Sequence, residues 1–363
     1  KNKIKNIKES VVHMANKKHD LLQTKGKFQI RGLVTGVEKD NFIKNLVCKN
    51  GKEMYILNFG VKTNEDRTIY VSLNGMEKDK VLFYKRSETK GQKGESKKIP
   101  WDQRNTFNED GFKLIGVNVG ITKKINDKGK EVNDNKVMSE FDACKYISEN
   151  LKDDDSVFVK GNIEYSHYEK KNGEVSRNEK FTINQISLCK SPIDFTTENY
   201  SELNDFEQTI VITDMKKDDS DKNDMKGIIS AKIVNYSSIE DAEYVVRNLS
   251  LFKHLKSLKP YMAIKVSGKI NFKVQKEEAN EDDFWGEKNS FEKVGGATIK
   301  ELEITGADPS TIEKELYSKE KIEEAIKVLT EFGDNGDTTS EGEGEQWGTG
   351  GSINESEDEG GWD

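Results

Sequence analysis

A nine-residue stretch of this chain occurs twice. Residues 157–165 read Val-Phe-Val-Lys-Gly-Asn-Ile-Glu-Tyr, and residues 264–272 read Ile-Lys-Val-Ser-Gly-Lys-Ile-Asn-Phe. Apolar side chains fall at alternate positions in both, the period of a strand with one buried face. The surroundings repeat as well. Leu151-Lys152 lies ten residues before Gly161, and Leu258-Lys259 lies ten before Gly268. Downstream, Thr-Ile-Asn-Gln-Ile-Ser-Leu at 182–188 is matched by Thr-Ile-Lys-Glu-Leu-Glu-Ile at 298–304, and each copy closes on a proline, Pro192 and Pro309. A helix-like segment, a strand with a central glycine, a hairpin and a closing strand make the back half of a five-stranded OB barrel. The glycine falls where such a strand turns a corner. The expectation is a mainly β chain of two tandem OB-like barrels with short helices. Chance likeness between short alternating strands is the rival explanation.

The 363 residues leave room for two ordinary domains and a tail. Charged side chains make up 34% and hydrophobic ones 33%, so the cores must be small and the surface ionic. That balance suits compact barrels with polar loops better than a large α/β enzyme. No apolar run approaches the roughly 18 residues that cross a bilayer. The Lys-rich start has no apolar stretch or small-residue cleavage site, so it is not read as a secretory signal. Cys48, Cys144 and Cys189 are widely spaced, with no CxxC and no nearby histidine, and read as reduced thiols rather than a metal site.

The net charge of −8 is unevenly spread. Residues 333–363 carry ten acids and no Lys or Arg, so residues 1–332 alone stand at +2. The tail is rich in Gly, Ser and Glu and is expected to be disordered. It ends in Glu357, Asp358, Glu359, two glycines, Trp362 and Asp363. An exposed Trp needs a partner to justify it, so these five charged and aromatic residues are read as a partner-binding tail rather than a plain solvated one.

At the other end, residues 1–27 hold eight lysines against Glu9 and Asp20 and read as a basic arm or a solvated leader. A first OB-like domain is expected over 28–190. Phe28, Ile30, Gly32 and Val34 alternate with polar residues as its first strand, with Lys27 and Arg31 beside them. Residues 54–61 form a second, almost wholly apolar strand bearing the candidates Tyr55 and Phe59. On the third, Ile69, Val71 and Leu73 share one face and leave Tyr70 on the polar one; Asn74-Gly75 then reads as a turn. Residues 85–98 carry six basic and two acidic side chains, including Lys85, Arg86, Lys97 and Lys98, and read as a mobile loop followed by Trp101. Cations interleaved with aromatics are what a single strand needs: charge for phosphates, flat surfaces for unstacked bases.

Helical spacing of Phe141, Cys144, Ile147 and Leu151 predicts a helix between strands three and four. On strand four, Val157, Val159, Ile163 and Tyr165 take the core parity, leaving Phe158, Lys160 and Tyr168 for contact. The following hairpin carries Lys170, Lys171 and Arg177 around the Asn172-Gly173 turn. Residues 191–206 read as a linker and 207–308 as the second OB-like domain. Its repeated strand presents Lys265, Lys269 and Lys273 in a row, which is either solvation or a phosphate track. The hairpin beyond is acidic, which makes this half the weaker or more protein-directed one. Residues 309–332 read as a helix starting at Pro309-Ser310, and 333–363 as the acidic tail.

No HExxH, P-loop, GxSxG or GxGxxG is present, and the four histidines are scattered. The reading is a binding protein rather than an enzyme, with no metal and no cofactor. Tandem barrels, basic hairpins with aromatics, and an acidic tail holding a terminal aromatic together resemble replicative single-stranded-DNA-binding proteins, particularly those of large bacteriophages. The bacterial family's tail ends in aspartates and Ile-Pro-Phe; here Trp362 stands in for Phe and one acid follows it. The resemblance implies barrels that coat single-stranded DNA with little sequence preference, RNA being the other polymer of the same chemistry. It also implies a tail that recruits replication, recombination or repair proteins. It places the protein in the cytoplasm, the host's if phage-encoded, and involves no membrane. The competing classes are a β-rich virion structural or assembly protein and an accessory subunit of a nucleic-acid-processing enzyme.

Overall fold

The computed structural model describes residues 19–89, 92–169, 172–173, 175–198, 200–221, 224–274 and 298–333. The first half begins with β1 (Gly26–Thr35), β2 (Ile43–Val47), β3 (Glu53–Asn64) and β4 (Arg67–Met76). A small separate sheet follows: β5 (Lys80–Lys85), β6 (Glu95–Pro100) and β7 (Phe112–Leu114). Then come β8 (Val117–Gly120), β9 (Lys123–Ile125), β10 (Glu131–Asn133), β11 (Lys136–Met138), α1 (Glu140–Asn150), β12 (Ser156–Glu169) and β13 (Val175–Leu188). The second half has β14 (Leu203–Asp218), β15 (Lys226–Val234), β16 (Ile239–Val246), α2 (Leu249–Leu255), β17 (Ala263–Val274), β18 (Thr298–Glu313) and α3 (Lys319–Gly333).

Strand pairing closes each half on itself. In the first ring β1 pairs β3, β3 pairs β4, β4 runs parallel to β13, β13 pairs β12, and β12 returns to β1. In the second, β14, β15, β16, β18 and β17 follow the same order, again with one parallel contact, β16 to β18. A helix precedes the fourth strand in both, and each helix opens on a side-chain cap, Ser139 for α1 and Asn248 for α2. Period-two alternation fills the rings: Ile30, Leu57, Val61, Ile69, Val159 and Ile183 are fully buried in the first, and Ile210, Ile212, Ile229, Tyr244, Ile270 and Ile304 in the second.

The duplicated glycine has the same job in both rings. Gly161 lies opposite Phe28 of β1, and Gly268 lies opposite Phe206 of β14. Each sits at a register shift against the closing strand. A Cβ at Gly161 would lie 1.8 Å from the Thr182 carbonyl oxygen, and one at Gly268 would lie 1.8 Å from that of Glu303. The bulge bends the strand so sharply that only hydrogen fits.

The rings are joined along their first strands. β1 and β14 pair antiparallel from Gly26↔Gln208 to Arg31↔Leu203, with Phe28 directly opposite Phe206. Buried contacts reinforce the seam: the Tyr165 and Tyr244 hydroxyls lie 2.7 Å apart, and the rings of Phe181 and Phe272 meet edge-on at 5.6 Å. Burial pushes both phenols well above their ordinary pKa, so each is neutral.

Several local expectations are corrected. Asn74-Gly75 is no turn: β4 continues through it, and a Cβ at Gly75 would sit 2.4 Å from the backbone of Glu140 and Phe141, where α1 crosses. The loop expected at 85–98 is shorter than that, since β6 pairs β5 from Lys80↔Pro100 to Lys85↔Glu95 and takes Lys85 and residues 95–98 into strand. The linker is shorter than 191–206, because Leu203 already pairs with Arg31. Pro309-Ser310 lies within β18, where Asp308 accepts hydrogen bonds from the Ser310 amide and hydroxyl, and the helix starts only at Lys319.

Candidate nucleic-acid interface

The candidate residues fall into three patches instead of one site. The first is the outer wall of β3 and β4. Tyr70 stands there 66% exposed, because its neighbours Ile69 and Val71 take the inward parity. It pairs across β3 with Gly60, so no side chain opposite shields the ring. Lys62, half-buried, and Asn58, exposed, flank it on β3. The hairpin of β12 and β13 supplies Tyr168, 58% exposed. That hairpin leans toward the second ring: His167 Nδ1 lies 2.5 Å from Glu240 Oε2, and Arg177 pairs with Asp241 at 3.5 Å. Lys170 and Lys171 lie outside the described residues.

The second ring shows what this wall looks like without the aromatic. Ile183 and Ile304 face the two bulge glycines, and the residues just before them, Thr182 and Glu303, pair with Ser72 and Val245. Counting back two places along β4 and β16 sets Glu243 where the first ring has Tyr70. Lys232 beside it is paired with Asp241 at 2.7 Å. The second wall is acidic and carries no aromatic at this place.

The second patch is the outer face of β12, β1, β14 and β17. It gathers Lys27, Arg31, Phe158, Lys160, Lys265 and Lys269, as their parities implied, but interleaves them with carboxylates. Lys269 is 2.6 Å from Asp205, and Lys265 is 3.2 Å from Glu207. Arg31 donates to the Ser201 carbonyl at 2.7 Å, and the Lys160 ammonium sits 5.1 Å from the Phe158 ring centre. The expected cation row is thus locally neutralised, with the alternate sign supplied by β14. Of Lys273 only the backbone is described; it pairs with Arg67 of β4.

The third patch surrounds the small sheet. Lys97 pairs with Glu109 at 2.5 Å and lies 4.4 Å from the Phe112 ring, while Lys85 approaches the other way at 5.9 Å. Arg86 and Lys98 are exposed. Trp101 is a clamp rather than a free platform. Arg104 lies 4.0 Å over its ring and grips Asp142 of α1 with two 2.8 Å hydrogen bonds, and the Trp ring meets buried Phe141 at 5.8 Å. Burial raises the Asp142 carboxyl, but hydrogen bonds from Arg104 and Ser139 outweigh it and leave the pKa lowered. Tyr55 is half-buried and packs on Phe141 at 5.0 Å, and Phe59, 2% exposed, belongs to the core and is closed to a base. Phe59 follows the inward parity of Leu57 and Val61, a signal hidden in a strand that is apolar almost throughout. Tyr84, 40% exposed on β5, is an aromatic that sequence reasoning missed.

Among the described residues, no group of three or more His, Cys, Asp or Glu side chains is placed to hold a metal ion. No helix there is long and apolar enough to cross a membrane. Glu357, Asp358, Glu359, Trp362 and Asp363, and residues 1–18 of the basic arm, lie outside the described residues.

The structure is similar to two crystal structures of the single-stranded DNA binding protein from Thermus aquaticus. A deletion variant matches with a TM-score of 0.37 at 10% identity, covering 79% of this chain and 94% of that one. The wild type matches with a TM-score of 0.36 at 11% identity, covering 79% and 93%. No curated protein matches in sequence. The YorF family model matches residues 86–338, well over half of the sequence, and the chain belongs to the YorF family.

Proposed function

We propose that this YorF-family chain binds single-stranded DNA with little sequence preference, on the β3–β4 wall of its first ring. The reading takes the two strand rings as OB barrels, whose second and third strands and adjoining loops grip polynucleotides. The observation that carries it is Tyr70: an open ring on that wall, opposite a glycine, where the second ring has Glu243. A ring face stacks on any base, so such binding tolerates sequence. Tyr168 and the β12–β13 hairpin extend the path. The second ring, with Asp241 and Glu243 on the matching wall, acts mainly as scaffold.

On this reading the chain is a coating protein of replication, recombination or repair, not an enzyme, and works in the cytoplasm, a phage host's included. Its acidic tail, through Glu357 to Asp363 and above all Trp362, recruits partner proteins. The test is a titration of single-stranded DNA, single-stranded RNA and duplex DNA at two salt concentrations. Single-stranded DNA should bind tightest, and its log affinity should fall with log salt by about 0.7 per phosphate contacted. Preference for duplex, or a flat salt response, sinks the proposal.

A further inference from the structure

The turn that leads into the fourth strand has one backbone shape in both rings. The Asp154 amide donates to the Val34 carbonyl at 2.9 Å, the Tyr261 amide donates to that of Ile212 at 2.6 Å, and both residues stand at φ 65°. The amides of Val34 and Ile212 return bonds of 3.0 Å to the carbonyls of Asp155 and Met262. On this shared frame the charges are opposite. In the first ring the end of α1 and its turn carry Glu149, Asp153, Asp154 and Asp155. Asp153 accepts the Val37 amide at 2.9 Å, which draws in the loop holding Glu38 and Asp40. Lys39, Lys152 and Lys190 offset part of that charge.

In the second ring the end of α2 and its turn carry Lys253, His254, Lys256 and Lys259, all exposed, and no Asp or Glu occurs from 244 to 276. The segment Glu313-Lys314-Glu315 passes this end, since Glu313 pairs with Ala263, and is mixed in sign. Among the described residues, neither the six acids of the first end nor Lys253, Lys256 and Lys259 are ion-paired.

The seam holds the two ends apart. Its ladder runs from Gly26↔Gln208 to Arg31↔Leu203. Val34, which anchors the acidic turn, lies three residues past Arg31. Ile212, which anchors the basic turn, lies four past Gln208, beyond the opposite end of the ladder. The acidic end therefore meets its complement on another molecule, and like ends repel.

We propose that copies of this chain associate head to tail, the basic α2 end of one against the acidic α1 end of the next. Such a contact uses two different surfaces, so each added copy leaves one of each free and a row can grow. Exposed ion pairs are individually weak and screened beyond about 8 Å at physiological salt, so the contact is salt-sensitive. On a single strand it sets successive copies in line, but the association itself does not depend on the nucleic-acid reading.

The test is sedimentation velocity on the full chain without nucleic acid. The sedimentation coefficient should rise with protein concentration at low salt and fall to that of one small species at high salt. Lys253→Glu/Lys256→Glu/Lys259→Glu should weaken the association about tenfold or more, and Glu38→Lys/Asp40→Lys/Glu149→Lys should do the same. All six positions are exposed, so melting temperatures should stay near the wild-type value. Mixing the two variants should restore assembly, because each reversed end then meets a reversed complement. A wild type that stays monomeric at every concentration in low salt overturns the proposal, as does assembly that neither variant weakens. If the acid-end variant assembles like the wild type while the lysine variant does not, the basic end takes another acidic segment, such as the chain's own tail, and the head-to-tail contact is wrong. A mixture that fails to reassemble also overturns it.

Discussion

Two aromatics on adjacent strands show how one residue's parity decides its use. Tyr70 and Phe59 lie on β4 and β3, yet Tyr70 is open and Phe59 is 2% exposed. Tyr70→Ala should cost single-strand affinity about 1–3 kcal/mol, the range for one base–aromatic stack, with the melting temperature unmoved. Phe59→Ala should do the reverse: lose about 3–5 kcal/mol of stability through a core cavity, read by denaturant unfolding, with binding intact in the folded fraction. An unchanged affinity for Tyr70→Ala would take the β3–β4 wall out of the binding path. Tyr70 was legible in sequence because Ile69, Val71 and Leu73 declare the parity around it. Tyr84 ends the run Val-Leu-Phe-Tyr where every residue is apolar, so alternation carries no information there, and around Phe59 only Asn58 interrupts an apolar strand; in both the paired strand assigns the side.

Among the elements, the repeated strand was the most legible because its spacing encodes a shape. Gly161 and Gly268 permit a bulge that no larger residue fits, since a Cβ would meet a carbonyl oxygen at 1.8 Å in either ring. Gly161→Ala and Gly268→Ala should each destabilise at or beyond the upper end of the roughly 1–3 kcal/mol typical of overpacking, measured by chemical denaturation. A cost below about 0.5 kcal/mol for either would mean that the bulge relaxes freely. Other elements misled for physical reasons. A glycine that lets a helix cross a strand, Gly75, looks in sequence like one that makes a turn. The β5–β6 hairpin was hard to read because its second strand, Glu-Ser-Lys-Lys-Ile-Pro, has no alternation of apolar and polar residues, and an Asx hydrogen bond at Asp308 lets Pro309 sit inside a strand where a helix start was expected.

At the scale of the whole molecule, the seam between rings holds neutral groups that high pH would charge. Tyr165 and Tyr244 exchange one buried hydrogen bond, and Tyr165→Phe should cost about 1–3 kcal/mol by leaving the Tyr244 hydroxyl unpaired. Tyr165→Phe/Tyr244→Phe should recover most of that loss; additive losses in the double variant would argue against a shared bond. The pH dependence has a definite sign. Burial raises both phenols above their ordinary value near 10 and the Cys144 thiol from 9.0 to about 12. The unfolded chain releases these protons first, so their contribution is complete below about pH 9 and drains away as pH rises toward 12 and beyond. Melting temperature against pH should bend downward above about 9, and less steeply in the double phenylalanine variant.

The ladder between β1 and β14 makes the peptide connection between the rings dispensable once folding is complete. Those strands share six register pairs, from Gly26↔Gln208 to Arg31↔Leu203, while most of the connecting segment at 190–198 is exposed. A protease that nicks it should yield two fragments that still migrate as one particle in gel filtration and part only in denaturant. The same geometry makes two separately expressed halves expected to find each other and reassemble. In that respect the chain behaves as a dimer whose subunits happen to be tethered, and the tether sets their local concentration rather than their structure.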